Sequence, residues 1–183
     1  MRSTLSGENS PSLGIQHVET RQGEKDQKAD EQIFLSDLAP AWVNTFTSAN
    51  WGFGSNGFSG ERRNGELVEI LVNGKTFQHS LGTHPRVREG SCVVYDIKGR
   101  FKTLAGAVAL SDQSGRVRTP ITFEIRGDGK RLWQSNAIKS SGKLESFKVD
   151  VQKVHRLELV VNCPGSNHSA GAVWLEPVLT HRN

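Results

Sequence analysis

Residues 120–134 read PITFEIRGDGKRLWQ. Ile121, Phe123 and Ile125 alternate with Thr122, Glu124 and Arg126. This period of two sends one face of a strand to a core and the other to water. Asp128-Gly129 follows, a pair that tolerates the positive φ required at both central positions of a tight hairpin turn, and a second strand begins at Arg131. The pattern recurs at Leu67–Val72, Cys92–Ile97, Leu104–Leu110, Phe147–Val151, Leu157–Val161 and Ala172–Leu179, and no helix-period segment competes with it. In Phe147–Val151, Phe147, Val149 and Val151 point inward while Lys148 and Asp150 point outward. Asn73-Gly74 supplies a second tight-turn signal. Eight strands separated by turn signals predict an all-β fold, an antiparallel jelly-roll β-sandwich, with function in the loops between strands.

The chain has 183 residues, enough for one ordinary domain and a tail. Residues 1–30 contain no Phe, Trp or Tyr and are rich in Ser, Gln, Glu, Lys and Gly, so they read as a flexible tail or linker. The folded domain is expected over residues 31–183, starting near Ile33-Phe34-Leu35. No apolar run approaches the roughly 18 residues that span a membrane. MRSTLSGENSPSLG lacks the apolar core of a signal peptide, which leaves open a protein that is not exported, a mature region and a segment of a longer protein. The net charge is +4; residues 1–30 hold four Lys/Arg against five Asp/Glu, so the positive excess lies in the domain. Its bases are scattered, with pairs only at Arg62-Arg63 and Lys130-Arg131, and no basic stripe interleaved with aromatics marks a nucleic-acid surface. Cys92 and Cys163 lie in or beside apolar strand runs, without metal-site or redox-motif spacing. Two buried free thiols are the simpler reading, and a disulfide stays open.

No nucleophile elbow, phosphate-cradling glycine loop or zinc-protease histidine pair occurs, and nothing marks two carboxylates as a glycosidase pair, so no enzyme is expected. Residues 44–63, NTFTSANWGFGSNGFSGERR, have no period, and their aromatics (Phe46, Trp51, Phe53 and Phe58) argue against disorder. They either serve a site or plug one end of the sandwich. Polar residues in predicted loops stand out: His84 and Arg86 in LGTHPR, Asp112 in LSDQSG, and Asn167 and His168 in CPGSNHSAG. Sugars are bound by such sets, ring faces stacking on an aromatic such as Trp51 and hydroxyls pairing with Asp, Asn, His and Arg. Trp174, inside an apolar run, reads as core.

Seven short motifs then fall in one family's order: LSDL (35–38), LGTH (81–84), VYDI-GRF across 94–101, FEIRGDGKRLW (123–133), VDV (149–151), LELVV (157–161) and AVWLEPVL (172–179). Over roughly residues 34–180 the chain resembles the NPCBM family of carbohydrate-binding modules. That resemblance implies a galactose-binding-like sandwich that attaches a larger, multidomain protein to a glycan or terminal sugar, outside the cell or at its envelope, and performs no chemistry itself. It also implies a structural calcium between the first loop and the last strand, for which Asp37 and Glu176 are the candidate ligands. The chain departs from the family at Ala109-Leu110-Ser111-Asp112, where one carboxylate of a usual pair is missing. It departs again at Ala170-Gly171-Ala172-Val173, where a His or Asp often precedes the tryptophan. The alternative is therefore a sandwich that has lost sugar binding and docks another protein or domain.

Overall fold

The computed structural model describes residues 31–181. The expected tail over residues 1–30 lies outside the described residues. Fifteen strands occur among those described: β1 (Gln32–Phe34), β2 (Trp42–Asn44), β3 (Phe58–Arg63), β4 (Glu66–Glu69), β5 (Leu71–Val72), β6 (Lys75–Thr76), β7 (Leu81–Thr83), β8 (Ser91–Asp96), β9 (Phe101–Leu110), β10 (Arg116–Gly127), β11 (Lys130–Gln134), β12 (Ile138–Ser140), β13 (Glu145–Asp150), β14 (Arg156–Asn162) and β15 (Ala172–His181). Short 3₁₀ turns at Leu35–Asp37 and Asp112–Ser114 complete the set. One sheet runs β1-β15-β9-β13, with β7 also on β15. The other runs β11-β10-β14-β8-β2, with β12 also on β10, and all pairings are antiparallel. The two sheets form the expected sandwich.

The alternation in the sequence is what fills the space between the sheets. Ile121, Phe123 and Ile125 from β10 face Phe147, Val149 and Leu104 from the other sheet in one buried cluster. Trp174 is fully buried at its centre, edge-on to Phe123 at 5.2 Å and to Phe147 at 6.0 Å. Both tight turns form as read: Asp128 and Gly129 take φ of 49° and 78°, and Asn73 and Gly74 take 53° and 69°.

Three details differ from the sequence reading. The strand expected over Leu67–Val72 breaks at Ile70, which is fully buried and donates its N–H to the Gly57 carbonyl at 2.7 Å instead of continuing a ladder. Glu124, expected in water, is 7% exposed, because Arg126 and Asn162 from its own sheet close over its carboxylate at 2.6 and 3.1 Å. Cys92 and Cys163 are both free; Cys163 is buried and Cys92 only half-buried. Burial pushes the Cys92 thiol up to about 11.

Candidate functional site

The glycine-rich segment between β2 and β3 builds one wall of a cavity at an end of the sandwich. Gly54 exchanges both backbone hydrogen bonds with Gly82 of β7, each 2.9 Å, and Gly52 donates to Gly60 at 2.9 Å. A Cβ on Gly54 would lie 2.0 Å from the Phe58 carbonyl oxygen, so backbone packs directly on backbone here. This close approach turns Trp51 back against β3, where it bridges Glu61. The segment is thus neither disordered nor only a plug: Phe53 packs on the core, while Phe46 and Trp51 line the cavity.

His84 stands at the back. Its backbone is clamped by Thr45, whose hydroxyl donates to the His84 carbonyl at 2.7 Å and accepts the His84 N–H at 3.1 Å. Its ring packs against Trp51 at 4.6 Å and Phe46 at 5.5 Å between centroids. Only 9% of the residue is exposed, and its Nδ1 is buried without a hydrogen-bond partner. Burial holds the imidazole below its ordinary value against the opposing pull of the Glu61 charge, so the ring is neutral at pH 7. The third wall is the loop after β14. Asn167 donates its amide to the Pro85 carbonyl at 2.8 Å, which leaves its side-chain oxygen as a spare acceptor, and His168 follows it, exposed. The floor holds Ser111, Ser114 and Gly171, joined by Oγ–Oγ contact at 3.1 Å and by the Gly171 N–H to Ser114 at 3.1 Å. The cavity, open on one side, has a volume of about 340 Å³.

Four of the residues expected from sequence therefore line one cavity: Trp51, His84, Asn167 and His168. Asp112 and Arg86 do not. The Asp112 carboxylate accepts the Asn73 N–H at 2.9 Å and the Gly74 N–H at 2.8 Å, capping the β5–β6 turn. Arg86 is exposed outside the cavity and pairs with Glu89 at 3.0 Å and with Asn44 at 3.3 Å. Among the lining residues missed are a charged pair, Glu61 and Arg63, joined at 2.8 Å, and the polar Ser59, Thr83, Gln113, Ser114 and Ser169. Glu61 and Arg63 lie two apart on β3 and so share a face, but nothing local in GERRNG announces that this face turns toward Trp51. Of the two runs where the chain departs from the family it resembles, 109–112 and 170–173, Ser111, Gly171, Ala172 and Val173 line the cavity.

Asp37 and Glu176 meet a different neighbour. Both approach His79: Asp37 Oδ1 lies 3.8 Å from its Nδ1, and Glu176 Oε1 accepts its backbone N–H at 3.2 Å. The His79 ring stacks on Phe34 at 3.9 Å. Calcium takes six to eight oxygens. These two carboxylates, already engaged with His79, do not by themselves fit that shell, and among the described residues no group of three or more His, Cys, Asp or Glu side chains could hold a metal ion.

Comparison with known proteins bears on the fold. The CBM51 module of a Clostridium perfringens GH95 protein, solved with methyl-galactose, superimposes with a TM-score of 0.66 at 20% identity, over 82% of this chain and all of that one. A C. perfringens ZmpB structure containing CBM51-2, solved with GlcNAc, gives 0.67 at 19% identity, over 83% of this chain and 32% of that one. The tandem CBM51 modules of Sp3GH98 from Streptococcus pneumoniae SP3-BS71 give 0.69 at 18% identity, over 82% of this chain and 47% of that one. A Renibacterium salmoninarum protein bearing the name endo-alpha-N-acetylgalactosaminidase is 22% identical over 145 residues, which are 79% of this chain but only 9% of that protein. The sequence profile of the NPCBM/NEW2 domain matches residues 31–180, almost all of the described sandwich, and the chain belongs to the NPCBM/NEW2 domain family.

Proposed function

We propose that this chain is a non-catalytic carbohydrate-binding module that takes a terminal sugar into the cavity between Trp51, His84, Asn167 and His168. One observation carries the reading: residues far apart in sequence, each suited to a ring face or a hydroxyl, surround a single cavity of about 340 Å³. Modules of the same fold were solved with methyl-galactose and GlcNAc, which supports a neutral sugar as ligand. Trp51 supplies a stacking face, neutral His84 and the Asn167 oxygen meet hydroxyls, and His168 closes the rim. Chemistry is not expected, since among the described residues Glu61 is the one carboxylate lining the cavity and glycoside hydrolysis ordinarily needs two. The small, open site implies weak affinity, because each hydroxyl contact competes with water.

By the same reading the module targets a larger protein to glycans, outside the cell or at its envelope. No helix among the described residues is long and apolar enough to cross a membrane. The test is a glycan array probed with the full chain, in calcium and in chelator. A terminal-sugar signal that Trp51→Ala abolishes supports the cavity. Loss of signal in chelator would return calcium to the working fold, with Asp37 and Glu176 as its side-chain ligands. No signal from a folded sample overturns the reading and leaves the docking alternative.

A further inference from the structure

Resting on that reading of the cavity, we propose that Glu61 sets its selectivity: the carboxylate accepts hydroxyls of an uncharged sugar and, by occupying the Arg63 guanidinium, turns away sugars that carry a carboxylate. Trp51 and Glu61 are bridge partners on adjacent backbone segments, so the stacking ring and the carboxylate stand side by side. A pyranose lying on the Trp51 face presents its edge hydroxyls to Glu61. The Glu61 side chain is 15% exposed, and it grips Arg63 through two contacts, Nε to Oε1 at 2.8 Å and Nη2 to Oε2 at 3.3 Å. That edge of the guanidinium is closed to a ligand carboxylate, and Glu61 offsets the charge on the remaining Nη1–Nη2 edge. An acidic sugar thus meets a neutralised guanidinium and a second negative charge beside it, with no protonated His84 to compensate. A carboxylate holding one guanidinium retains further lone pairs for O–H donors, the groups a neutral sugar offers. Other acceptors here are also free: Asn167 commits its amide nitrogen to Pro85 and Gln113 commits its own to the Glu69 carbonyl at 3.3 Å. The cavity is therefore rich in acceptors and electrically balanced, which suits a polyol and not an anion.

The test pairs methyl galactoside with the methyl glycoside of galacturonic acid, whose C6 is a free carboxylate at pH 7, in calorimetric titrations of the full chain at that pH. The wild type is expected to prefer the neutral sugar by about tenfold or more. Glu61→Gln, nearly isosteric and checked for an unchanged melting temperature, should weaken the neutral sugar and strengthen the acidic one, each by about tenfold. Adding Arg63→Gln to that variant should abolish the gain for the acidic sugar, which a merely structural role for Glu61 would not produce. A Glu61→Gln protein that binds the neutral sugar like wild type, or still refuses the acidic one, overturns the proposal while the cavity reading stands. If Trp51→Ala leaves wild-type binding intact, or the wild type binds neither sugar, the cavity reading falls and takes this proposal with it.

Discussion

Replacing Asp112 with Ala should cost stability and spare sugar binding. Both carboxylate oxygens are engaged, one with the Asn73 N–H at 2.9 Å and one with the Gly74 N–H at 2.8 Å, across the positive-φ pair of the β5–β6 turn. Hydrogen bonds to a charged partner contribute about 1.5–3 kcal/mol each when buried; these are exposed, so about 1 kcal/mol each, or about 2 kcal/mol together, is the reasonable expectation. For a domain of this size that lowers the melting temperature by about 4–8 °C. Asp112→Asn keeps one acceptor oxygen without the charge and should fall about halfway. Calorimetric melting gives the stability, and titration with methyl galactoside at a temperature where every variant is folded gives the binding. A Asp112→Ala protein that melts with the wild type yet fails to bind sugar would refute the turn-capping role and return Asp112 to the site.

Gly54→Ala puts a Cβ 2.0 Å from the Phe58 oxygen and 2.3 Å from the Gly60 nitrogen. A loss of about 3 kcal/mol or more and a collapsed Trp51 wall are expected in urea unfolding and in sugar titration. His84 is held neutral by burial, so its folded-state value lies below the unfolded one. Its contribution is then complete above about pH 6.5 and declines as the pH falls and the unfolded chain takes the proton. Urea midpoints between pH 8 and 5 should fall for wild type more steeply than for His84→Gln, and equal slopes would exclude His84 as the source. Asp128, whose carboxyl is lowered by the backbone N–H groups of Arg156 and His155, gives the same sign at lower pH. Asp128→Asn should flatten the acid limb below about pH 4 in the same unfolding series. Cys92, pushed up to about 11, and Cys163, also raised by burial, should react slowly with a disulfide reagent at pH 8 and promptly in urea. Rapid labelling of both in the native protein would contradict their burial.

The strands of the two main sheets were legible because burial imposes a period of two wherever one face meets a core, as Phe147, Val149 and Val151 show. The short strands β1, β2, β6, β7 and β12 escaped notice because two or three residues carry too little alternation to register, and β3 because FSGERR has one apolar residue and a glycine and no alternation at all. The site was legible only by residue type. Trp51 and His84 are unusual in loops, and they do meet. Glu61 and Arg63 were lost because their face is set by the pairing of Gly54 with Gly82, a contact between segments 28 positions apart. Asp112 was misread for the same reason, since the N–H groups it caps lie 38 and 39 positions earlier. Glu124 shows the reverse limit: alternation finds the outer face but not the neighbours that cover it.

The pairing of the first strand with the last has a mechanical consequence. Gln32 stands opposite Thr180, and the His181 N–H reaches the Glu31 carbonyl at 2.8 Å, while the other end of β15, at Ala172, lines the cavity. Ten residues of strand separate the two ends of β15, about 30 Å. A polypeptide continuing beyond either boundary would enter and leave through one small patch, on the side of the sandwich away from the cavity. With both attachment points on one patch, the domain would hang like a lantern from a single hook, and a host protein could carry it in a loop as readily as at a terminus.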